Sequence, residues 1–198
     1  FIAFTKGFKA ITYLYALNPL DNFFVGLPWW YVMVAFFFIC WRSASLSFAL
    51  VVVASLAFTG LAGLWDVTMY TLAAPIASVA ISVIIGVPLG VAAAYSRTLD
   101  AILRPVLDAM QTMPTFVYLI PVLMFFGGNP VTAVIATVIY ALPPVIRMTI
   151  LGLRQLPEEI DEVSDAFGSN KLQALFKVRL PMASPSIMLG VNQSVVMA

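Results

Sequence analysis

The sequence predicts an all-α membrane protein, a polytopic bundle of transmembrane helices. Three observations predict it. Hydrophobic residues make up 62% of the 198 residues and charged residues 10%, whereas a soluble domain carries roughly 45–50% and about 25%. Mean hydropathy is +1.02. The apolar residues also fall into successive runs separated by short polar or turn segments, a pattern that fits lipid as the solvent.

Residues 1–22 are expected to form an interfacial or scaffold N-terminal segment. Phe1, Phe4, Phe8, Ile11 and Tyr15 keep helical spacing, and Lys6 and Lys9 supply a wet side. A solvated lead-in is the alternative. Scaffold transmembrane helices are expected over 23–66. A first span over 27–41 is bracketed by Trp29, Trp30 and Tyr31 at one interface and by Trp41 with Arg42 at the other. A second covers 46–65 and ends at Trp65-Asp66.

Residues 67–198 read as the core transmembrane domain, truncated in its last span. Its first span, 67–95, is long enough to tilt, with Pro75 and Pro88 expected as kinks. Arg97, Asp100, Arg104 and Asp108 then share one helical face, with i, i+4 pairing of Asp100 to Arg104 and of Arg104 to Asp108. That face is expected as a polar stripe at the membrane surface. A short fourth span, 113–127, meets the turn Gly127-Gly128-Asn129-Pro130. The fifth, 131–151, carries Pro143-Pro144 and Arg147 near its end, and the sixth begins near 182.

With Arg42 placed inside, eight of the ten Lys and Arg fall on the inner side (42, 97, 104, 147, 154, 171, 177, 179). Only Lys6 and Lys9 fall outside, so the positive-inside rule selects this orientation.

Composition also excludes chemistry. There is no His and one Cys, Cys40, so His-based acid–base catalysis, zinc-type clusters and an internal disulfide are absent. Cys40 reads as a packed or lipid-facing thiol. No phosphate-binding P-loop occurs, so a nucleotide site is not expected here, and the chain is not expected to be an enzyme by itself. A net charge of +1 suggests no nucleic-acid partner. The chain opens on Phe and closes within an apolar run, and is expected to be an interior piece of a longer polypeptide.

The segment 154–181 is the long polar stretch between spans. Pro157, Glu158 and Glu159 suit a helix start. Ile160, Val163 and Phe167 share a face, and Gly168 marks a stop or bend. Ser169 is expected to cap a second short helix carrying Leu172, Leu175 and Phe176 on its apolar side. This helix–Gly–helix element presents an apolar stripe, to be covered by a partner or by the chain's own spans.

Glu162-Val163-Ser164, three residues, Gly168, nine residues and Val178-Arg179-Leu180-Pro181 resemble the cytoplasmic loop of inner-membrane permeases of ATP-driven (ABC-type) importers. That loop reads Glu-Ala-Ala, three residues, Gly, nine residues, Ile-x-Leu-Pro. The departures are Val163-Ser164 for Ala-Ala and Val178 for Ile.

A closer resemblance covers 105–193. Asp108-Ala109-Met110-Gln111-Thr112-Met113-Pro114, Tyr118-Leu119-Ile120-Pro121, Phe125-Phe126-Gly127, Ala141-Leu142-Pro143-Pro144-Val145-Ile146-Arg147 and Leu153-Arg154-Gln155-Leu156-Pro157-Glu158-Glu159 look like permeases of glycine betaine, proline betaine and choline importers. Residues 1–95 resemble them only in general layout.

The resemblance implies a type I ABC importer permease fold in the inner or plasma membrane of a bacterium or archaeon. It implies a permease homodimer, cytoplasmic ATPase subunits that hold the ATP and Mg, and an external substrate-binding protein or fused domain. It also implies that Glu159, Glu162, Ala166, Phe167, Gly168, Leu172, Leu180 and Pro181 couple the chain to the ATPase. The expected substrate is a compact osmolyte, with glycine betaine first and proline betaine or choline next.

Met110, Gln111, Thr112, Met113 and Pro114 combine polar and soft groups before the short span and are candidates to line the substrate path. Pro114, Pro121, Pro143 and Pro144 read either as breaks along that path or as packing kinks. Phe125 and Phe126 read as lipid or core contacts rather than a cation cage. The alternatives are an importer permease for another small solute such as an amino acid, a secondary-transporter subunit, or an assembly subunit without a path. The absence of ionisable residues from 109 to 146 counts against an ion-gradient mechanism.

Overall fold

The computed structural model describes residues 7, 9, 10 and 12–198, all of them in helices or the turns between them. A π-helical turn, Tyr13–Leu17, leads into α1 (Asn18–Gly26). Then follow α2 (Trp29–Ser43), α3 (Leu46–Leu61), α4 (Trp65–Tyr95), α5 (Arg97–Thr112), α6 (Thr115–Phe126), α7 (Pro130–Arg154), α8 (Glu159–Ala166), α9 (Lys171–Ala174) and α10 (Leu180–Met197). The expected helical face through Phe1, Phe4, Phe8 and Ile11 lies outside the described residues; Tyr15 is strongly exposed.

The chain divides into two compact units, Phe1–Ala77 and Ser78–Ala198, with the division inside α4. In the first unit α2 and α3 pack together, and Ser45 caps α3 by accepting from the Phe48 amide at 3.2 Å. At the far end of α3, Gly63 takes φ +71°. The amide of Leu64 reaches the Thr59 carbonyl at 2.9 Å and that of Gly63 reaches Gly60 at 3.1 Å, a Schellman closure that only a left-handed residue allows.

In the second unit α7 is the hub. It packs on α10, α6 and α5, and α4 approaches it through glycines. A Cβ at Gly90 would lie 2.6 Å from Cβ of Thr149, and one at Gly86 would lie 2.9 Å from Val145. On the α10 side, a Cβ at Gly190 would lie 2.8 Å from Met148, and one at Gly152 would lie 2.7 Å from Ser186. Lipid is as apolar as Leu, so close backbone approach at small residues, rather than flight from water, holds such helices together. The buried Ser78 and Ser82 continue the Gly86–Gly90 stripe at i, i+4 spacing.

By length and composition alone, fewer helices qualify as spans than the six expected. Among the described residues, α4 and α7 are each long and apolar enough to cross a membrane. The segment Tyr13–Gly26 with α2, bent by 100°, and α5 with α6, bent by 96°, qualify only as pairs, giving up to four. The reason is length and composition. At 1.5 Å per residue, α3 reaches about 24 Å and α6 about 18 Å against a hydrocarbon core of about 30 Å. The last helix, α10, is diluted by Ser184, Ser186, Asn192, Gln193 and Ser194. Both α4 and α7 run as single helices through their prolines, including the buried Pro143 and Pro144. Many large apolar side chains stay exposed, Leu61, Ile84, Met124 and Val196 among them, as a lipid-facing surface requires.

Candidate functional site

The element between α7 and α10 is built by turn chemistry. The amides of Ile160 and Asp161 bond the Pro157 and Glu158 carbonyls at 3.2 and 2.9 Å, so the first turn begins at Pro157. Glu159, Asp161 and Glu162 occupy the first turn of α8, where acids favour the positive end of the helix dipole. At its other end Gly168 has φ +71°. The Ser169 amide bonds the Ser164 carbonyl at 3.0 Å and the Gly168 amide bonds Asp165 at 2.9 Å, a second Schellman closure. A Cβ at Gly168 would meet nothing within 4 Å, so the backbone conformation alone asks for glycine there.

Two expectations are corrected here. The cap of the following helix is Asn170, not Ser169. Its side chain accepts from the Gln173 amide at 2.8 Å, and the Gln173 side chain accepts from the Asn170 amide at 3.0 Å, a complete capping box. Ser169 is already committed to closing α8. Nor is the second helix a separate short one. Helical structure runs from Lys171 through the π-helical turn Leu175–Arg179 into α10, so the element is one short helix hinged at Gly168 onto the extended start of the last helix.

Among the described residues Ile160 and Leu175 of the apolar stripe are half-buried, and the rest of it is exposed. Phe167 is 84% exposed, Leu172 67% and Phe176 65%. Beside it lies a groove of about 490 Å³ lined by residues of α8, Ser169, the π-helical turn and the start of α10, among them Ile160, Val163, Phe167 and Val178. Glu159, Glu162 and Ala166 are exposed, and neither glutamate joins an ion pair among the described residues. Leu180 is half-buried and Pro181 exposed at the start of α10.

Basic groups anchor the element to the bundle. Nη1 of Arg179 donates to both carboxylate oxygens of Asp161, at 3.1 and 3.0 Å, and its Nη2 to the Leu153 carbonyl at 3.4 Å. The guanidinium carbon stands 5.0 Å from the centroid of the Tyr95 ring. One residue beyond Leu153, Arg154 bonds Asp100 at 2.6 Å and the Ala93 carbonyl at 2.9 Å. The expected stripe on α5 is thus partly redirected. Arg104 pairs with Asp100 at 2.9 Å, but Asp108 pairs with Arg147 on α7, and Asp100 is buried. Sequence reading missed Asp161, Arg179 and Tyr95 as a set. The opposite charges 18 residues apart across Gly168 were the available signal.

The path candidates sit at the sharp break between α5 and α6. Met110 packs against the buried cluster of Ala93, Leu107, Ile146 and Ile150, and its carbonyl accepts from the Tyr118 hydroxyl. The Thr112 hydroxyl bonds back to the Asp108 and Ala109 carbonyls at 3.0 and 3.2 Å. Met113 ends α5 and Pro114 precedes α6. Gln111, Thr112, Met113 and Pro114 are exposed, so Met110 faces the core and the other four face outward. Asn129, in the turn after α6, caps α7 by accepting from the Thr132 amide at 3.4 Å and donates to the Phe126 carbonyl at 2.6 Å. It is therefore a structural residue rather than a neutral turn position.

Residues 86–198 match the family described as binding-protein-dependent transport system inner membrane component. The chain is 42% identical over 184 residues to the glycine betaine/proline betaine transport system permease protein of Escherichia coli, covering 93% of this chain and 52% of that protein. It is 49% identical over 136 residues to the glycine betaine transport system permease protein of Bacillus subtilis, covering 69% and 48%. It is 35% identical over 201 residues to the trimethylamine N-oxide transport system permease protein of Ruegeria pomeroyi, covering 99% and 30%. The chain spans about half the length of the first two.

Proposed function

From the premise that this chain belongs to the family of binding-protein-dependent transport system inner membrane components, we propose that it is the membrane permease part of an ATP-driven osmolyte importer. The observation that carries the reading is the Gly168-hinged element with its uncovered stripe at Phe167, Leu172 and Phe176. An apolar stripe on a polar loop needs a partner, and in such an importer that partner is a cytoplasmic ATPase. ATP and Mg belong to that subunit. Glu159, Glu162, Ala166, Phe167, Gly168, Leu172, Leu180 and Pro181 form or support the docking surface.

The relatives' names supply the substrate class. Glycine betaine, proline betaine and trimethylamine N-oxide are compact solutes without net charge that carry a fully substituted nitrogen. Glycine betaine is the first choice for this chain. The substrate arrives from an external binding protein or fused domain and passes between two permease copies, with the outward-facing break at Gln111–Pro114 beside the path. The amphipathic α5 lies along the inner membrane surface, and residues 23–66 are read as scaffold transmembrane helices and 67–198 as the core transmembrane domain.

Uptake of labelled glycine betaine by cells expressing the complete system tests the reading. Uptake that depends on the ATPase and is competed by unlabelled betaines supports it. If glycine betaine, proline betaine and choline all fail to compete, the substrate class is wrong.

A further inference from the structure

We propose that Arg179 is the strut through which movement of α8 reaches the ends of α4 and α7, a positioning role that rests on the permease reading above. Along α8 only Ser164 is buried, so apolar packing grips this helix weakly. Its ends are turns, at Pro157 and at Gly168. Its side-chain tie to the bundle is Asp161, held by Nη1 of Arg179 at 3.0 Å.

The same guanidinium reaches the Leu153 carbonyl at the end of α7 and stacks over Tyr95, the last residue of α4. Three helices therefore meet on one planar, permanently charged group that is rooted just before α10. Such a group transmits displacement because its donors are fixed in a rigid fork. Its side chain is 20% exposed, so the guanidinium is held mostly inside the protein. The Nε–H is buried with no hydrogen-bond partner. An unpaired buried donor costs free energy, so this arrangement is poised to exchange partners when α8 moves.

The test uses the complete importer with its ATPase and binding protein, reconstituted in liposomes. Arg179→Gln, Asp161→Asn and the double variant are compared for ATPase retention, osmolyte-stimulated ATP hydrolysis and solute moved per ATP. Both single variants are expected to retain the ATPase, while solute moved per ATP falls on the order of tenfold and the double variant is no worse than either single. Asp161 is half-exposed, so Asp161→Asn keeps the test alive if Arg179→Gln folds poorly. An unchanged ratio in Asp161→Asn overturns the strut. So do multiplying effects in the double variant, or loss of the ATPase from the complex, which marks a docking role instead. A wild-type complex that neither retains an ATPase nor takes up osmolyte overturns the permease reading itself, a result distinct from any of these.

Discussion

Arg154 and Asp100 lie 54 residues apart, yet the Nη1 of one donates to the carboxylate of the other at 2.6 Å. The same guanidinium takes up the Ala93 and Ala94 carbonyls at 2.9 and 3.4 Å, which α4 leaves unpaired in its last turn. One side chain from the end of α7 thus caps α4 and pins α5. This junction sits directly before the hinged element and fixes the end of α7 from which that element starts.

Asp100→Asn removes the buried carboxylate that Arg154 and Arg104 share. The expected cost is about 2 kcal/mol, since hydrogen bonds to charged groups contribute more than neutral ones. Arg104→Ala, at a side chain 66% exposed, is expected to cost clearly less, because water screens that pair. Thermal unfolding of the purified protein in detergent distinguishes them; equal losses refute the assignment.

Gly90→Ala places a methyl 2.6 Å from Thr149 Cβ. Overpacking of that kind costs about 1–3 kcal/mol, and the melting temperature is expected to fall. Gly26→Ala, with nothing within 4 Å, serves as the reference and is expected to change stability by no more than about 0.5 kcal/mol.

Gly168→Ala meets no steric obstacle but must hold φ near +71°. The expected cost is about 1 kcal/mol, read as weakened ATPase co-purification and reduced uptake with the membrane helices intact. Gly168→Asn is expected to recover part of the loss, because Asn tolerates the left-handed region. An Asn variant worse than Ala refutes the conformational explanation.

Phe167→Ser separates docking from folding. A side chain 84% exposed adds little to stability, so unfolding is expected to stay within about 0.5 kcal/mol of the parent. ATPase co-purification is expected to drop about tenfold, the scale of a lost hydrophobic anchor. Retained binding sinks the docking surface.

In a Cys40→Ser background, Ser169→Cys is expected to resist an impermeant thiol reagent added to intact cells, while Gly128→Cys reacts. The inner-side cluster of Lys and Arg predicts this orientation. Labelling of position 169 from outside reverses it.

Composition and apolar periodicity determined the membrane environment and the helical class, because both are properties of local runs that lipid selects one segment at a time. Pro157 and Gly168 likewise announced the ends of α8, since start and stop chemistry is local. Tertiary structure alone decided the rest. Whether Asp108 pairs along α5 or across to Arg147 depends on which helix lies beside it. Whether Ser169 or Asn170 caps the next helix depends on which amide Ser169 has already given to α8. That Gly90 must be small is visible only once Thr149 stands against it. That Asp161, Leu153 and Tyr95 converge on Arg179 follows from where four helix ends meet, a long-range fact that no local spacing encodes.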